Sequence, residues 1–406
     1  MRRLCYLQVG LPQHGICRYG RSLAAEARRR TGLIVFEENI VLDGKFWVDR
    51  RRLRKLAQQL SSRVDRVHIQ VSLWGDGSWG EGWCGLFNLW TFGRHCRVPL
   101  AITLHDINSL VGVKCGTIAR IIRSIARGLA TDMLRSGARL LKQALRGRLC
   151  KREIFAGLWN FCALYRCGLA RIAANGASPL LVITSWEKDL LLSCGIVSDT
   201  VLIPHFVERA PRQRVTPVYR NSTSGKTILV AGFIFNQKGH RLVVEAMPLM
   251  PHVRVMFLGG PGVGQSGAEQ YARIMDFVRE KGVQDRLEVT GYLDDEEFQR
   301  HIRAADLAVC PFSEYKTASG SLSALIAAGC PILASDVPLI AEYNAMVPGA
   351  IPTFSPYSAK ALATTISRLL TVPRTGLVDG INRLQKHLSI STIYSLHLDA
   401  YRKHVA

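Results

Sequence analysis

The feature that most constrains this chain is a rhythm that runs twice: short apolar runs of strand length alternate with segments of helical periodicity. In the first half the runs are Leu4–Val9, Leu33–Phe36, Val67–Val71, Leu100–Leu104, Leu180–Thr184 and Val201–Ile203. A polar, proline-containing stretch, Glu208 to Gly225, then breaks the pattern. It restarts at Thr227–Ala231 and continues through Val253–Leu258, Leu287–Thr290, Leu307–Cys310 and Pro331–Ala334. Strands separated by helices imply parallel sheets, because a parallel neighbour is reached only by a long crossover. At 406 residues the chain is also too long for a single core. The expected fold is therefore α/β, with two doubly wound Rossmann-like domains facing across a cleft. The expected division is 1–207, a linker 208–225, a second domain 226–380, and a helical stretch 381–406 packing back on the first domain.

Charge narrows the class of partner. Lys and Arg number 53 against 31 Asp and Glu, a net charge of +22, which favours an anionic partner. From Gly112 to Arg171 there are 13 Lys or Arg and two acids, Asp132 and Glu153, so half of the excess lies in sixty residues. Within this insertion Ile118, Ile121, Ile122, Ile125 and Leu129 follow helical spacing, with Arg120, Arg123 and Arg127 on other faces. Such basic amphipathic helices lie in the interface of anionic membranes, and the same pattern also suits helices that bury an apolar stripe in the first domain. Ile154 to Ala170 is interrupted by Asn160 and Arg166, and no stretch is apolar enough to span a bilayer. Few aromatics interleave with the charge and no nucleic-acid-binding module is present, so no nucleic-acid partner is expected.

The eleven cysteines are odd in number and form no CxxC pair, which suits reduced thiols acting as small buried hydrophobes. Met1 to Leu7 is basic and then apolar, but Gln8 and Pro12 break the run too early for a signal peptide. The expected location is cytoplasmic, peripheral at the inner face of the membrane.

Two motifs carry chemistry. After Thr227–Ala231 comes Gly232-Phe233-Ile234-Phe235-Asn236-Gln237-Lys238-Gly239, then a helix through Leu242, Val243, Ala246 and Met247. A loop leaving the carboxyl end of a strand is where doubly wound sheets bind ligands, and a lysine there meets a diphosphate. The same lysine also reads as an ordinary surface residue before a helix. The second motif is Glu314-Tyr315-Lys316-Thr317-Ala318-Ser319-Gly320-Ser321, which opens the apolar helix Leu322–Ala328. Small residues at a helix start expose unpaired amides at the positive end of the dipole, a ready anion site, and equally form a plain helix cap. Gly259-Gly260-Pro261-Gly262-Val263-Gly264 does not have dinucleotide-fingerprint spacing.

These pieces together resemble the retaining GT-B glycosyltransferases of the GT4-like, group 1 family. The ordered series is Gly232…Lys238-Gly239, Phe257-Leu258-Gly259-Gly260, Thr290-Gly291-Tyr292-Leu293, Ala304-Ala305-Asp306-Leu307…Pro311, and Gly329-Cys330-Pro331…Ala334-Ser335-Asp336. In the first half His14-Gly15-Ile16-Cys17 is similar to the family's glycine loop, and Thr103-Leu104-His105-Asp106 to its His-Asp strand end. The resemblance implies a metal-independent, retaining hexosyltransferase. It would move a sugar from a nucleotide diphosphate sugar, its co-substrate, to a glycan or lipid-linked acceptor in polysaccharide or glycolipid biosynthesis. No other cofactor and no metal are implied. The catalytic candidates are His105 and Lys238. The donor-binding candidates are Gly15, Gly232, Lys238, Gly239, Glu314, Ala318, Ser319, Gly320 and Ser321, and an anionic membrane surface is the expected partner of 112–171. His105 is also compatible with a structural strand-end role.

The sequence departs from the family at two places. Phe233 stands where the family has an arginine, and Lys316 and Ala324 stand where many members carry paired glutamates, with Glu314 two residues from the first. Those departures define the alternative function: a non-catalytic GT-B-fold subunit that binds and stabilises a partner glycosyltransferase.

Overall fold

Among the described residues the apolar runs pair as parallel strands in two separate sheets of six strands each. In the computed structural model the described residues are 1–12, 15–30, 32–71, 79, 83–105, 179–193, 200–208, 225–262, 265–313 and 319–403. The basic insertion 112–171, linker residues 209–224, and the candidates Glu314 and Ala318 lie outside them.

The described residues divide into two compact units, Met1–Ile203 with Tyr394–Ala406, and Pro204–Ile393. In the first the elements are β1 (Arg3–Val9), α1 (Gly15–Arg28), β2 (Ile34–Ile40), α2 (Phe46–Arg63), β3 (Arg66–Val71), α3 (Trp83–His95), β4 (Leu100–Leu104), β5 (Leu180–Val182), α4 (Ser185–Ser193) and β6 (Thr200–Leu202). Their order across the sheet is β2-β1-β3-β4-β5-β6, so the winding reverses between β1 and β3. Cys5, Leu7 and Val9 of β1 and Val67, Ile69 and Val71 of β3 share an apolar core with Leu53 and Leu60 of α2 and Phe92 of α3. Alternation sends the intervening residues to the opposite face. There Tyr6, Gln8, Arg66, His68 and Gln70 are at most 2% exposed, although all are polar.

In the second unit the elements are β7 (Lys226–Ala231), α5 (His240–Ala246), β8 (Val253–Leu258), α6 (Gln265–Glu280), β9 (Leu287–Val289), α7 (Asp295–Ala304), β10 (Leu307–Cys310), α8 (Gly320–Ala327), β11 (Ile332–Ser335), α9 (Pro338–Met346), β12 (Thr353–Phe354), α10 (Ala359–Leu369) and α11 (Arg374–His387). The sheet order is β12-β11-β10-β7-β8-β9, and its winding reverses between β7 and β10. Ile228, Val230, Phe257, Val309 and Leu333 fill the core against Val243 of α5 and Ile366 of α10. Strands covered on both faces read as continuous apolar runs, which is why the sequence locates them so well. A last helix, α12 (Ile390–Lys403), follows a break at Leu388-Ser389, where the Ser389 hydroxyl accepts the Thr392 N–H at 3.2 Å and restarts the helix. Tyr394 to Ala406 belongs to the first unit. Among the described residues no helix is long and apolar enough to cross a membrane.

Candidate active site

The site in the second unit is built by three strand ends that approach too closely for any residue but glycine. β7 leaves its sheet through Gly232, which has φ 109°. Ile234 then makes a parallel bridge to Pro261, pinning the loop against the exit of β8. Asn236–Lys238 forms a single 3₁₀ turn, and Gly239 enters α5 with φ 73°. A Cβ on Gly239 would overlap the Pro311 carbonyl, and one on Gly259 would overlap that of Gly232. Both positions combine a left-handed or otherwise forbidden φ with a backbone contact, so glycine is required twice over.

This packing fixes where Lys238 can reach. Its Nζ donates to Ser321 Oγ at 2.9 Å and to Ser319 Oγ at 3.1 Å, and lies 5.3 Å from the Phe312 ring centroid. The two hydroxyls are 3.1 Å apart. Ser319 is the N-cap of α8 and accepts the Leu322 N–H at 3.4 Å, while its carbonyl accepts the Ser323 N–H at 2.9 Å. A Cβ on Gly232 would lie 3.3 Å from Ser321 Oγ. The arrangement thus joins an ammonium, two rotatable hydroxyls and the first turn of a helix, whose N–H groups lack intrahelical acceptors. Each favours an anion with several oxygens.

Residues around the cradle set its character. His240, next after Gly239, is fully buried edge-on to Phe257, with centroids 4.7 Å apart. Burial pushes its pKa down to about 3, assisted by the Lys238 charge. Cys310 is buried below the cradle, and burial pushes its thiol up to about 12, so it is inert packing. Phe233 is 43% exposed and Tyr292 63% exposed, with centroids 5.7 Å apart at 67°. The Tyr292 hydroxyl donates to the Pro261 carbonyl. Phe233 therefore contributes an aromatic ledge, not a charge, just past the end of β7. Sequence reasoning took Phe233 as a loss and named Tyr292 only within the Thr290–Leu293 series, not as a site residue; an aromatic just past the end of β7 and another just past β9 were the available signal.

The remaining candidates lie in the first unit. His105 stands at the end of β4, half-buried, with Nε2 2.7 Å from Gln70 Oε1. Gly15 opens α1 with open space around it, and Tyr19 of the same helix packs its ring edge-to-face on His105 at 4.8 Å. Gly232, Lys238, Gly239, Ser319, Gly320 and Ser321 come together around the cradle, whereas Gly15 and His105 belong to the other unit.

Residues 225–372 match the family model described as Glycosyl transferases group 1. The second unit is thus similar to group 1 glycosyltransferase domains. Over the whole chain the fold is GT-B, shared with several solved structures. Sucrose-phosphate synthase from Thermosynechococcus elongatus superposes with a TM-score of 0.70 and 18% identity, over 99% of each chain. Anabaena HepE in complex with UDP-glucose gives 0.63 and 14%, over 99% of this chain and 100% of that one. A glycosyltransferase from Rickettsia africae gives 0.65 and 13%, over 100% and 98%. No curated protein matches the sequence.

Two outcomes follow from this geometry. Gly239→Ala must move backbone that three strands share, so it should lose at least about 2 kcal/mol in urea unfolding. A near-wild-type midpoint would show that the loop has room. The buried His240 also ties stability to acid. Between its unfolded value, about 6.5, and its folded value, about 3, the unfolded chain takes up a proton that the folded chain excludes. Stability should therefore fall as pH falls through that window, by about 1.4 kcal/mol per pH unit from this group, with no contribution to the slope above it. Urea midpoints of wild type and His240→Phe, measured at pH 7 and pH 5, should diverge in acid; equal slopes would remove His240 from the account.

Proposed function

We propose that the chain is a retaining, metal-independent hexosyltransferase that moves a sugar from a nucleotide diphosphate sugar to a glycan or lipid-linked acceptor. The observation that carries this reading is the Lys238–Ser319–Ser321 cradle at the point where the second sheet reverses its winding. As the glycosidic bond breaks, negative charge grows on the departing diphosphate. Donors already held in place stabilise that charge without having to reorganise, and in many enzymes nothing else lowers the barrier as much. In this assignment Lys238 and the first turn of α8 receive the diphosphate, and the exposed faces of Phe233 and Tyr292 suit a nucleobase. His105 serves a hydroxyl of the reacting sugar or of the acceptor. The bound UDP-glucose of the Anabaena relative is in keeping with a nucleotide-sugar donor.

The test is a panel of UDP-, GDP- and ADP-sugars, following nucleotide diphosphate release and thermal stabilisation. Release with one donor, lowered about 10²- to 10³-fold in Lys238→Ala, is the expected result. Stabilisation by a nucleotide without release under any acceptor would favour the non-catalytic subunit, for which the phenylalanine at 233 speaks. Near-normal release by Lys238→Ala would dismiss the cradle.

We further propose that the protein works as a peripheral protein at the cytoplasmic face of an anionic membrane. The charge of 112–171 supports this, and so does α2. Trp47 is 70% exposed, and Arg51, Arg54 and Lys55 follow it at helical spacing, all exposed. An exposed tryptophan within a basic helical face is the composition of an interfacial helix. Each basic residue near an anionic surface contributes about 1 kcal/mol. Arg51→Glu with Arg54→Glu should thus weaken co-sedimentation with phosphatidylglycerol vesicles at least about tenfold. Equal binding to zwitterionic vesicles would refute an electrostatic attachment.

A further inference from the structure

α2 and α3 lie side by side on the first sheet and show a surface that is basic and aromatic. Arg50, Arg51, Arg52, Arg54 and Lys55 crowd two turns of α2, whose apolar stripe, Leu53, Ala57 and Leu60, is buried in the first core. Its one acid, Asp49, is buried and accepts the Asp43 N–H at 2.8 Å, and α3 carries no acid. Two contacts hold the helices in register. Arg50 Nε donates to Thr91 Oγ1 at 3.0 Å, and the Arg97 N–H donates to Ser61 Oγ at 2.8 Å. Arg54 follows Arg50 by one turn on the same face, and Arg94 and His95 follow Thr91 by one turn. Three basic side chains from two helices are thereby bracketed between the two contacts.

Arg54 and Arg94 are exposed, and among the described residues neither is ion-paired, whereas Arg52 lies 3.9 Å from Asp43 and Arg63 3.4 Å from Glu38. Like charges held close repel each other until an anion joins them. His95 registers the crowding: burial, and then the charges of Arg54, Arg94 and Arg50, hold its pKa below the ordinary value. The flanks of this cluster are aromatic. The Arg50 guanidinium lies over the Trp47 ring at 5.6 Å, and that of Arg94 over the Trp90 ring at 5.1 Å. Trp47 and Val48, in the first turn of α2, are both exposed. Exposed apolar surface of this kind adds nothing to the binding of a free anion in water. At a bilayer surface it does, because tryptophan settles at the level of the headgroups. α2 follows β2, so its first turn lies at the carboxyl edge of the sheet, the edge at which β4 ends beside His105.

We propose that Arg54, Arg94 and His95 form a binding site for the phosphate of an anionic lipid headgroup, seated between α2 and α3 and flanked by Trp47 and Trp90. A guanidinium presents paired N–H groups that match two phosphate oxygens, so arginines on facing helices take one phosphate from two sides. The proposal rests on the membrane reading of α2 and narrows it from a diffuse charge to a discrete site. A diffuse face responds to charge alone. The site responds also to the shape of the cation.

Substitutions that keep the charge separate the two cases. With the intact protein and phosphatidylcholine vesicles containing phosphatidylglycerol, Arg54→Lys and Arg94→Lys should each weaken co-sedimentation about tenfold, because the ammonium lacks the fork. Arg51→Lys, outside the site, should bind as the wild type does, and all three should keep the wild-type thermal midpoint. Glycerol 3-phosphate supplies the headgroup without the bilayer. Its titration should move the ring signals of His95, assigned by their loss in His95→Gln, to saturation and raise the midpoint of the His95 titration, because a bound phosphate favours the charged imidazole. Trp47→Ala should weaken vesicle binding and leave this titration unchanged. Wild-type vesicle binding in both lysine variants, with binding lost in Arg51→Glu with Arg54→Glu, overturns the site and leaves the diffuse attachment standing. A His95 response to glycerol 3-phosphate without any loss of vesicle binding in the lysine variants shows a soluble phosphate ligand and overturns the lipid assignment. If the wild type does not bind anionic vesicles, it is the membrane reading that fails.

Discussion

A parallel sheet whose winding reverses leaves a gap at the reversal, because the connections from the two adjoining strands leave in opposite directions. In the second sheet that gap lies between β7 and β10, and the rest of the site depends on how it is lined. Gly239 lies against the Pro311 carbonyl and Gly259 against that of Gly232. The Ser313 N–H donates to the Gln237 carbonyl at 3.2 Å, and the Ser335 hydroxyl to the Phe312 carbonyl at 2.8 Å. Lysine is a flexible side chain with much rotamer freedom to lose. Here its base is held by backbone contacts on three sides and its tip by two serines, so the ammonium is ordered before any ligand arrives.

The two sheets treat their faces differently. In the second, both faces are apolar, and the single buried imidazole at the site, His240, is held neutral. In the first, one face is an apolar core and the other a polar network covered by α1 and α12. Packing there is tight: a Cβ on Gly20 of α1 would lie 3.0 Å from Gln8 Nε2 and 3.2 Å from Gln70 Cγ. Hydrogen bonds in a region of low dielectric hold direction well and are costly to break. The network reaches the strand end at His105, whose Nε2 is 2.7 Å from Gln70 Oε1.

Much of this was legible in the sequence. Strands such as Leu100–Leu104, Val253–Leu258 and Leu307–Cys310 were delimited to the residue, because a strand covered on both faces is a plain apolar run. β12 escaped, since two residues carry no periodicity. The glycine-lysine turn and the Ser-Gly-Ser helix start were visible as motifs, but not the fact that one bonds to the other across 81 and 83 positions. The polar network was missed for a different reason. Arg66, His68 and Gln70 alternate with Val67, Ile69 and Val71, the pattern of a strand with one wet face, and only the packing of α1 and of residues near the C-terminus shows that face to be dry.

Phe233 changes how the site would divide its work in the proposed reading. An arginine there would bring a second charge to the diphosphate, worth about 4 kcal/mol at 4 Å in an effective dielectric of about 20 before the cost of desolvation. With phenylalanine that share is absent at this strand end, and more of the stabilisation falls on Lys238 and on a helix terminus equivalent to roughly half a charge. The aromatic surface of Phe233 and Tyr292 acts on a part of the donor that does not change as the bond breaks. Contacts of that sort strengthen binding in ground state and transition state alike and so act on KM. The lysine meets charge that grows during the reaction, and so acts on kcat. In the proposed reading, an aromatic ledge in place of a second charge therefore puts affinity on the nucleoside and leaves the rate more dependent on Lys238.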